Sequence, residues 1–535
     1  VTSDPRAFFA LDEGAATTSA AIIARLGGRW RLLASIAFPA AIATDAILAL
    51  LVTRLRLADP AIAEAVGADP DAVEGWTRLV VRGRPAGRLA VVAGAERAIA
   101  PFAAAATATG WRVAPASAER LDPLAMTTLL VDPAVEAVLV GAGEPPGADE
   151  RPALDDLATL VAGVAVRRPE LTIVLGGGMS GRAGRFEDLD DRSGALLVGP
   201  APVDTATAQT LGAVLLGLRA PVDDPRRAIV RSIGSLADVL DRRIELVEVG
   251  ITGGLRVHAL PGVGGDPGTV RSAIVAAAGL TGEEREDAAV DDLMAWSTMP
   301  FDRHRMRDRL RELRTVPWGD CAGDGAFLRL TAARAAVTRL VDATPEFGAL
   351  PAPDLLVAAG GAWAVAPGPA IALALVDAVR RPGVSGLAFD HGRLLGPLGA
   401  IEDPAERRSV VGDLADEILA PLGSVVMPQG LRNGRPAGRA VVHGATEPPA
   451  ELELIPGGIE LVDLPPGDTA IAEFEFRDAV RLGARGRHFA VDVAGGLGGL
   501  LVDLRDVPLR LPDRQDRRRE LLAAWQAALW GSGEG

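Results

Sequence analysis

Two acidic residues close short apolar runs and stand two positions before a glycine. Asp12 follows Phe8, Phe9, Ala10 and Leu11 and precedes Gly14; Glu248 follows Leu246 and Val247 and precedes Gly250. Small and hydroxyl-bearing residues come next: Ala15, Ala16, Thr17, Thr18 and Ser19 after the first, Thr252, Gly253 and Gly254 after the second. Each stretch then returns to an apolar run. A hairpin of this kind can cradle a phosphate, because glycine lets the backbone approach an anion while amide N–H groups and hydroxyls supply donors. An acid at the end of the strand suits Mg²⁺, which keeps several of its waters, so Asp12 would hold the metal through water. A third apolar run, 354–359, ends in Gly360 and Gly361.

The elements that must carry these residues follow from the pattern of apolar residues. Runs at 7–13, 17–23 and 30–37 predict three antiparallel strands of an RNase-H-like sheet, followed by a helix over 44–57 with Thr44 or Asp45 as its N-cap and a second over 60–66. From about Trp76 the pattern becomes strand and helix in alternation. Strands are predicted at 89–94, 111–114, 137–143 and 171–175, and helices at 96–106 and 154–166; 124–131 fits either type. Such alternation implies parallel pairing with crossovers. The glycine-rich ends after Val140 and Leu175 are either ligand-binding strand ends or tight turns. Helices follow at 206–218 and 226–240. A mainly helical stretch is predicted from 269–278 onward, with further helices over 327–341 and 370–379. The arginine-rich segment 303–311 reads as a solvated helix face, or else as a patch for an acidic partner. Beyond Pro428, short strands at 441–443, 451–454, 458–461, 469–476, 488–493 and 499–504 precede a helix over 513–529. Asp492, ahead of Gly495 and Gly496, reads as a structural turn.

Composition bounds the function. A chain of 535 residues is too long for one ordinary core. Its apolar content of 49% and charged content of 23% are those of a globular protein. A net charge of −15 argues against nucleic acid as a partner, since phosphate backbones need a positive footprint. There is no lysine and no tyrosine, so no lysine nucleophile, Schiff base or Walker-type lysine is available. Cys321 is the only cysteine and reads as a small buried residue, which suits a reducing cytoplasm. The five histidines never fall at metal-binding spacing. The N-terminus lacks a signal-peptide pattern. The uncharged run 355–376 is interrupted by Gly360, Gly361, Pro367, Gly368 and Pro369, so it predicts a strand, a turn and a helix, and no membrane span.

Two acid-x-glycine hairpins and then a strand ending in two glycines, in that order, resemble the two phosphate segments and the adenosine segment of the actin/Hsp70/sugar-kinase ATPases. Across most of the chain the segments also resemble the glutamate-mutase-associated MutL family of that superfamily, which is distinct from the mismatch-repair protein of the same label. The residues that carry the likeness are Asp12 with Gly14; the run 84–94; Val140 to Gly143; Glu248 with Gly250, Val257 and His258; Ala359 to Gly361; 394–400, with Leu394, Leu395, Gly396, Pro397 and Gly399; and 498–509, with Asp503, Leu504, Arg505, Asp506 and Pro508. The last two segments are the most telling, because nucleotide-loop physics does not require them.

The resemblance implies an α/β, two-lobed actin-like ATPase with RNase-H-like lobes, an inserted α/β subdomain and a C-terminal β-rich domain. The first lobe would comprise 1–75 and 226–243, the insertion 76–225, the second lobe 244–428 and the last domain 429–535. ATP and Mg²⁺ are the implied cofactors. Asp12, Gly14, Thr17, Thr18, Gly250, Thr252, Gly253 and Gly254 would hold phosphates and metal, Gly360 and Gly361 would make room for adenosine, and Glu248 would orient water for in-line attack. A cobalamin-dependent mutase is the implied partner, reactivated by an ATP-driven accessory protein. The chain itself has no Asp-x-His-x-x-Gly cobalamin motif.

The departures from the family pattern point the other way. Hydroxyls expected at Ala15 and Ala16 and a lysine expected at Ser19 are missing, and Glu13 adds negative charge. Lost donors of these kinds weaken phosphate binding by roughly 1.5–3 kcal/mol for a charged bond and about 1 kcal/mol for a neutral one. In the second loop, Glu248 replaces an aspartate, Gly253 and Gly254 replace hydroxyls, and Arg256 stands where an acid is expected. The alternative is therefore a pseudo-ATPase that has lost nucleotide and metal and acts as a scaffold through protein contacts. A metabolite kinase on the same fold ranks third, because no acceptor base stands out.

Overall fold

The structure is a computed structural model that describes residues 7–39, 44–68, 76–83, 87–147, 151–189, 196–218, 225–264, 266, 268–282, 286–316, 323–364, 366–432, 434–444 and 447–530. Cys321 lies outside the described residues. The chain forms two compact units. One comprises Val1–Arg84, Asp223–Ser272 and Ala277–Gly535; the other comprises Pro85–Val222 and Ala273–Ala276.

The larger unit begins with strands β1 (Ala7–Glu13), β2 (Thr17–Leu26), β3 (Arg29–Pro39) and β4 (Thr77–Arg82). They lie in the order β3-β2-β1-β4, with β1, β2 and β3 antiparallel and β4 parallel to β1. The helix Thr44–Ala58 turns Ile47, Leu48, Leu51, Val52 and Leu55 onto Phe9, Leu11 and Ile22. Its apolar residues recur at the spacing that places one helical face on a sheet.

The smaller unit is a parallel sheet of β5 (Arg88–Ala93), β6 (Arg112–Ser117), β7 (Val135–Ala142), β8 (Thr172–Gly177) and β9 (Leu196–Gly199), in the order β6-β5-β7-β8-β9. The ambiguous segment is a helix, Pro123–Val131. Asp122 caps it by accepting the Ala125 N–H, and Pro123 stands where a missing N–H costs nothing. The glycine-rich strand ends have a packing cause. A Cβ on Gly141 would lie 2.6 Å from the Phe102 ring, and one on Gly176 would meet the same ring. These glycines make room for Phe102, which is buried in the core of this unit.

The chain continues with β10 (Ile244–Val249), β11 (Gly254–Leu260), β12 (Thr269–Val275), β13 (Leu355–Ala359), β14 (Gly383–Asp390) and β15 (Leu419–Met427). Then come β16 (Gly438–His443), β17 (Ala450–Leu454), β18 (Ile459–Val462), β19 (Thr469–Leu482), β20 (Ala484–Ala494) and β21 (Leu500–Asp503). Eight strands form one sheet in the order β12-β11-β10-β13-β14-β15-β21-β18, and four more form a C-terminal sheet, β17-β16-β19-β20. The first four positions of the large sheet repeat the β3-β2-β1-β4 order, and β14 adds a fifth strand. Two sheets of this order, each opening with a hairpin and continuing with a parallel strand, are the two RNase-H-like lobes of an actin-like fold.

One element contradicts the sequence reading, and β4, β9, β14 and β15 have no counterpart in it. Residues 269–275 form a strand, where the pattern had opened a helical stretch. Thr269, Val270 and the Ile274-Val275 pair are β-branched, and the segment takes the place in the second sheet that β3 takes in the first. The arginine-rich segment lies on the helix Arg303–Thr315, whose Met306, Leu310 and Leu313 are buried. Its acidic partners belong to the same chain: Arg307, Arg311 and Arg314 reach Glu286, and Arg303 and Arg307 reach Asp287. Residues 355–376 resolve into β13, a turn at Gly361–Trp363 and the helix Gly368–Ala378; among the described residues no helix is long and apolar enough to cross a membrane.

Candidate functional site

The two hairpins bring their acids to one place. β10 runs parallel to β13 with Glu248 opposite Ala359, so the Glu248 carboxylate lies beside Gly360. A Cβ on Gly360, whose φ is +100°, would lie 3.0 Å from Glu248 Oε1 and would collide with the Val249 carbonyl. On the other lobe, Asp12 pairs with Ser19 across the β1–β2 hairpin, and Gly14 closes the turn by donating its N–H to the Thr17 carbonyl at 2.9 Å. Strand alternation separates Asp12 from Glu13. Glu13 accepts the Thr44 hydroxyl at 3.2 Å and pairs with Arg82 at 2.6 Å, so its charge is taken up locally.

Between the hairpins sits Arg393, from the turn after β14. Its guanidinium is bidentate on Asp12, with Nη2 to Oδ1 at 2.7 Å and Nε to Oδ2 at 3.1 Å. Nη1 donates to the Thr17 hydroxyl at 2.6 Å and to the Thr17 carbonyl at 2.9 Å. The space that Gly14 leaves is filled by this side chain, since a Cβ there would lie 2.7 Å from Arg393 Nη2. Gly361 approaches from the second lobe, its would-be Cβ 3.2 Å from the Thr17 hydroxyl. Arg393 holds a left-handed backbone, φ 54°, which is unfavourable for a residue with a Cβ. Glu248 has its own arginine: Arg226 donates through Nε to Oε2 at 3.2 Å, both side chains being about one-tenth exposed. Gly250 lies next to this pair, a Cβ there falling 3.0 Å from Glu248 Oε1 and 3.4 Å from Arg226 Nη2.

A third acid completes the cluster. Asp390, the last residue of β14, accepts the N–H groups of Leu394 at 2.9 Å and Leu395 at 3.2 Å. Burial pushes its carboxyl up to about 7, and the neighbouring Asp12 adds to the rise. Burial also raises Asp12 and Glu248, against the pull of Arg393 on the first and Arg226 on the second. These shifts set a pH dependence. Between about pH 4 and pH 7 the folded protein holds a proton on Asp390 that the unfolded chain has released, so unfolding free energy falls as pH rises through that window and levels off above it. The full change for Asp390 is at most roughly 4 kcal/mol. Urea midpoints measured from pH 4 to 8 should fall with pH in the wild type and fall distinctly less in Asp390→Asn.

The arrangement does not fit Mg²⁺ held through Asp12. Both carboxylate oxygens already carry guanidinium N–H donors, and a metal aquo ion would have to displace a bidentate, charge-assisted pair. Among the described residues no group of three or more His, Cys, Asp or Glu side chains is arranged to hold a metal ion. The positions read from the sequence divide accordingly. Asp12, Gly14, Thr17, Glu248, Gly250, Gly360 and Gly361 come together around the two arginines. Thr18 and Thr252 make no hydrogen bond or ion pair to either arginine among the described residues. Gly253 accepts the Gly250 N–H at 2.9 Å and so closes the second turn. Gly254 admits close packing of the Ala278 carbonyl and the Leu340 side chain. Arg256 points away from this cluster, bonding to Glu245 and Thr344.

Three members escaped sequence reasoning: Arg393, Arg226 and Asp390. Asp390 had a signal, because it closes an apolar strand as Asp12 does. Arg393 had a weaker one, since it directly precedes the 394–400 segment. That segment is the short helix Leu395–Gly399, held to the helix Pro225–Leu240 by Ser232 bonding to the Leu395 carbonyl at 2.6 Å and Arg231 bonding to the Gly399 carbonyl at 2.7 Å. Gly399 has no room for a side chain, because a Cβ would strike the Ala228 carbonyl. The helix Pro225–Leu240 starts beside Arg226, so one joint fixes both arginines.

No protein-family model and no curated protein sequence matches the chain. Among solved structures, it is similar to a gluconate kinase from Lactobacillus acidophilus, at 11% identity and a TM-score of 0.27 over 76% of this chain and 92% of the other. It is also similar to component A of (R)-2-hydroxyglutaryl-CoA dehydratase from Acidaminococcus fermentans, at 8% identity and a TM-score of 0.27 over 75% and 99%. A PilM–PilN type IV pilus biogenesis complex gives 13% identity and a TM-score of 0.24 over 76% and 95%. These scores are too low to argue from, and the two-lobed assignment rests on the repeated strand order.

Proposed function

We propose that this chain is a pseudo-ATPase: an actin-like fold whose nucleotide cleft is closed by its own arginines and which acts as a scaffold through protein contacts. The observation that carries this reading is the bidentate hold of Arg393 on Asp12 together with its bonds to Thr17. A guanidinium in that position supplies the positive charge that Mg²⁺ would bring, and it spans the donors that a phosphate would use. The Arg226–Glu248 pair likewise engages the residue expected to orient water, with the guanidinium on one of its two carboxylate oxygens. ATP and Mg²⁺, the cofactors the fold suggests, are in this reading no longer needed.

The likeness of segments 394–400 and 498–509 to the glutamate-mutase-associated MutL family supports a cobalamin-dependent mutase as the partner and the cytoplasm as the place. An accessory protein that hydrolyses ATP to reactivate the mutase is the weaker reading, because it requires Asp12 to exchange Arg393 for a hydrated metal. Phosphate release from Mg-ATP, with and without an added glutamate mutase, tests the choice. Release by the wild type should not exceed that of Asp12→Ala. Turnover that Asp12→Ala and Glu248→Gln both abolish would overturn the proposal.

A further inference from the structure

The second lobe carries a cavity of about 1160 Å³ at the end of its sheet away from Asp12 and Glu248. Its wall includes Arg243, Pro353 and Gly383, which stand at the starts of β10, β13 and β14, whereas the arginine-filled cleft lies at the ends of those strands. The sequence segment 498–509 contributes to the same region without any role in the cleft: Asp503 and Arg505 lie behind the wall, and Val507, Pro508 and Leu509 line it.

Around this cavity the buried charges do not balance. Arg256, Arg334, Arg380, Arg381 and Arg505 all have side chains less than one-tenth exposed, and among the described residues they share three carboxylates, Glu245, Asp377 and Asp503. Arg256 and Arg381 divide Glu245, while Arg334, Arg380 and Arg505 divide the two aspartates. Five guanidiniums against three carboxylates leave an excess of two positive charges. Arg243 is matched by Asp354, and Arg339 by Asp292. Of the remaining wall charges, Asp342 and Arg481 cancel in number, with no ion pair between them. Aromatic faces cover part of the excess, with Phe347 4.8 Å from Arg256, Trp296 5.2 Å from Arg334 and Trp525 4.5 Å from Arg505. A ring face attracts a cation but does not neutralise it. Arg380 and Arg381, both on the wall, each keep a buried Nε without a hydrogen-bond partner, the Arg381 Nε lying 3.4 Å from Glu245 Oε2. Buried charge left without a counter-ion is costly, and so are buried donors left without acceptors.

We propose that this cavity binds a small organic dianion, a dicarboxylate or a phosphate ester, whose charge completes the arginine cluster. The cavity is far larger than an inorganic ion needs, and Trp296, Val379, Leu482 and Leu509 give its wall apolar surface for a carbon skeleton. Arg481 stands exposed on the wall, and its side chain makes no hydrogen bond or ion pair with the described residues. It is free to close on the anion. This site is independent of the reading of the cleft.

Calorimetric titration of the full chain with glutarate, glycerol 3-phosphate and inorganic phosphate, each against chloride at equal ionic strength, tests the proposal. Saturable one-site binding of glutarate or of glycerol 3-phosphate is expected, and which of the two binds tells the carboxylate from the phosphate source. Arg481→Ala should weaken that binding about tenfold, the loss of one charge-assisted bond, and Arg481→Glu should abolish it. Neither variant should change the Tm without ligand, because Arg481 bridges no other side chain. No binding of either organic anion at millimolar concentration would overturn the proposal, as would binding that both Arg481 variants leave unchanged. Inorganic phosphate binding as tightly as the organic anions would equally overturn it.

Discussion

Arg393→Ala should lower the unfolding free energy by roughly 3–5 kcal/mol, the usual cost of stripping one partner from a buried ion pair. Asp12 is 7% exposed, and among the described residues its side chain pairs with no cation but Arg393. Burial already raises its carboxyl in the presence of Arg393, so loss of the guanidinium would raise it further. Two comparisons separate the ion pair from other effects. Arg393→Gly loses the same pair but relieves the left-handed backbone at φ 54°, so it should be less destabilised than Arg393→Ala by about 1 kcal/mol. The double variant Asp12→Asn with Arg393→Ala should recover part of the loss, since it leaves no buried charge unpaired. Urea denaturation of the wild type, Asp12→Asn, Arg393→Ala and the double variant gives the coupling energy directly, and a value near zero would mean that the pair is not formed in solution.

Asp503→Asn should cost a similar amount, roughly 3–5 kcal/mol, for a different reason. Asp503 is fully buried and is shared by Arg380 and by Arg505, which reaches it at 2.7 Å and 2.9 Å. Removing its charge leaves Arg505 with Asp377 and Arg380 with backbone carbonyls only, and enlarges the positive excess around the cavity. The pH dependence has a definite sign. Burial by itself would raise the Asp503 carboxyl, but Arg505 and Arg380 outweigh it and hold it down to about 2. A carboxyl depressed on folding contributes stability above its unfolded value of 3.8 and loses it as pH falls toward 2. Wild-type stability should therefore drop by roughly 2–3 kcal/mol over that acid window on account of Asp503 alone. Asp503→Asn should lack this arm while keeping the opposite slope that Asp390 gives between about pH 4 and 7. Thermal unfolding from pH 2 to 8 reads both slopes in one series.

The lobes were legible in the sequence because their strands are buried on both faces and read as near-continuous apolar runs, with glycine at each turn. Residues 7–11 and 355–359 show this most plainly. The edge strand β12 was not legible. Its first four residues are exposed, so it lacks the apolar run that marked its neighbours, and its place is fixed by pairing with β11. The acids and glycines of the cleft could be read from local patterns, since an acid at a strand end followed by glycine is a short-range signal. The arginines that close it could not. Arg226 reaches Glu248 from 22 positions away and Arg393 reaches Asp12 from 381 away, and no periodicity couples residues so distant. The same limit hid the role of segment 498–509, where Arg505 meets Asp377 across 128 positions. The glycines at 141 and 176 fitted either ligand-binding strand ends or tight turns, and their local signal did not reveal its cause, Phe102 on the helix Ile99–Ala108.

Calorimetric titration of ATP and ADP into the purified chain, with and without Mg²⁺ and with Asp12→Ala as control, addresses the closed cleft most directly. With Arg393 on Asp12 and Arg226 on Glu248, no Mg²⁺-dependent heat should be seen at millimolar nucleotide, and wild type and Asp12→Ala should give the same trace. Saturable binding that requires Mg²⁺ and disappears in Asp12→Ala would show that the arginines yield to nucleotide and would contradict the pseudo-ATPase reading.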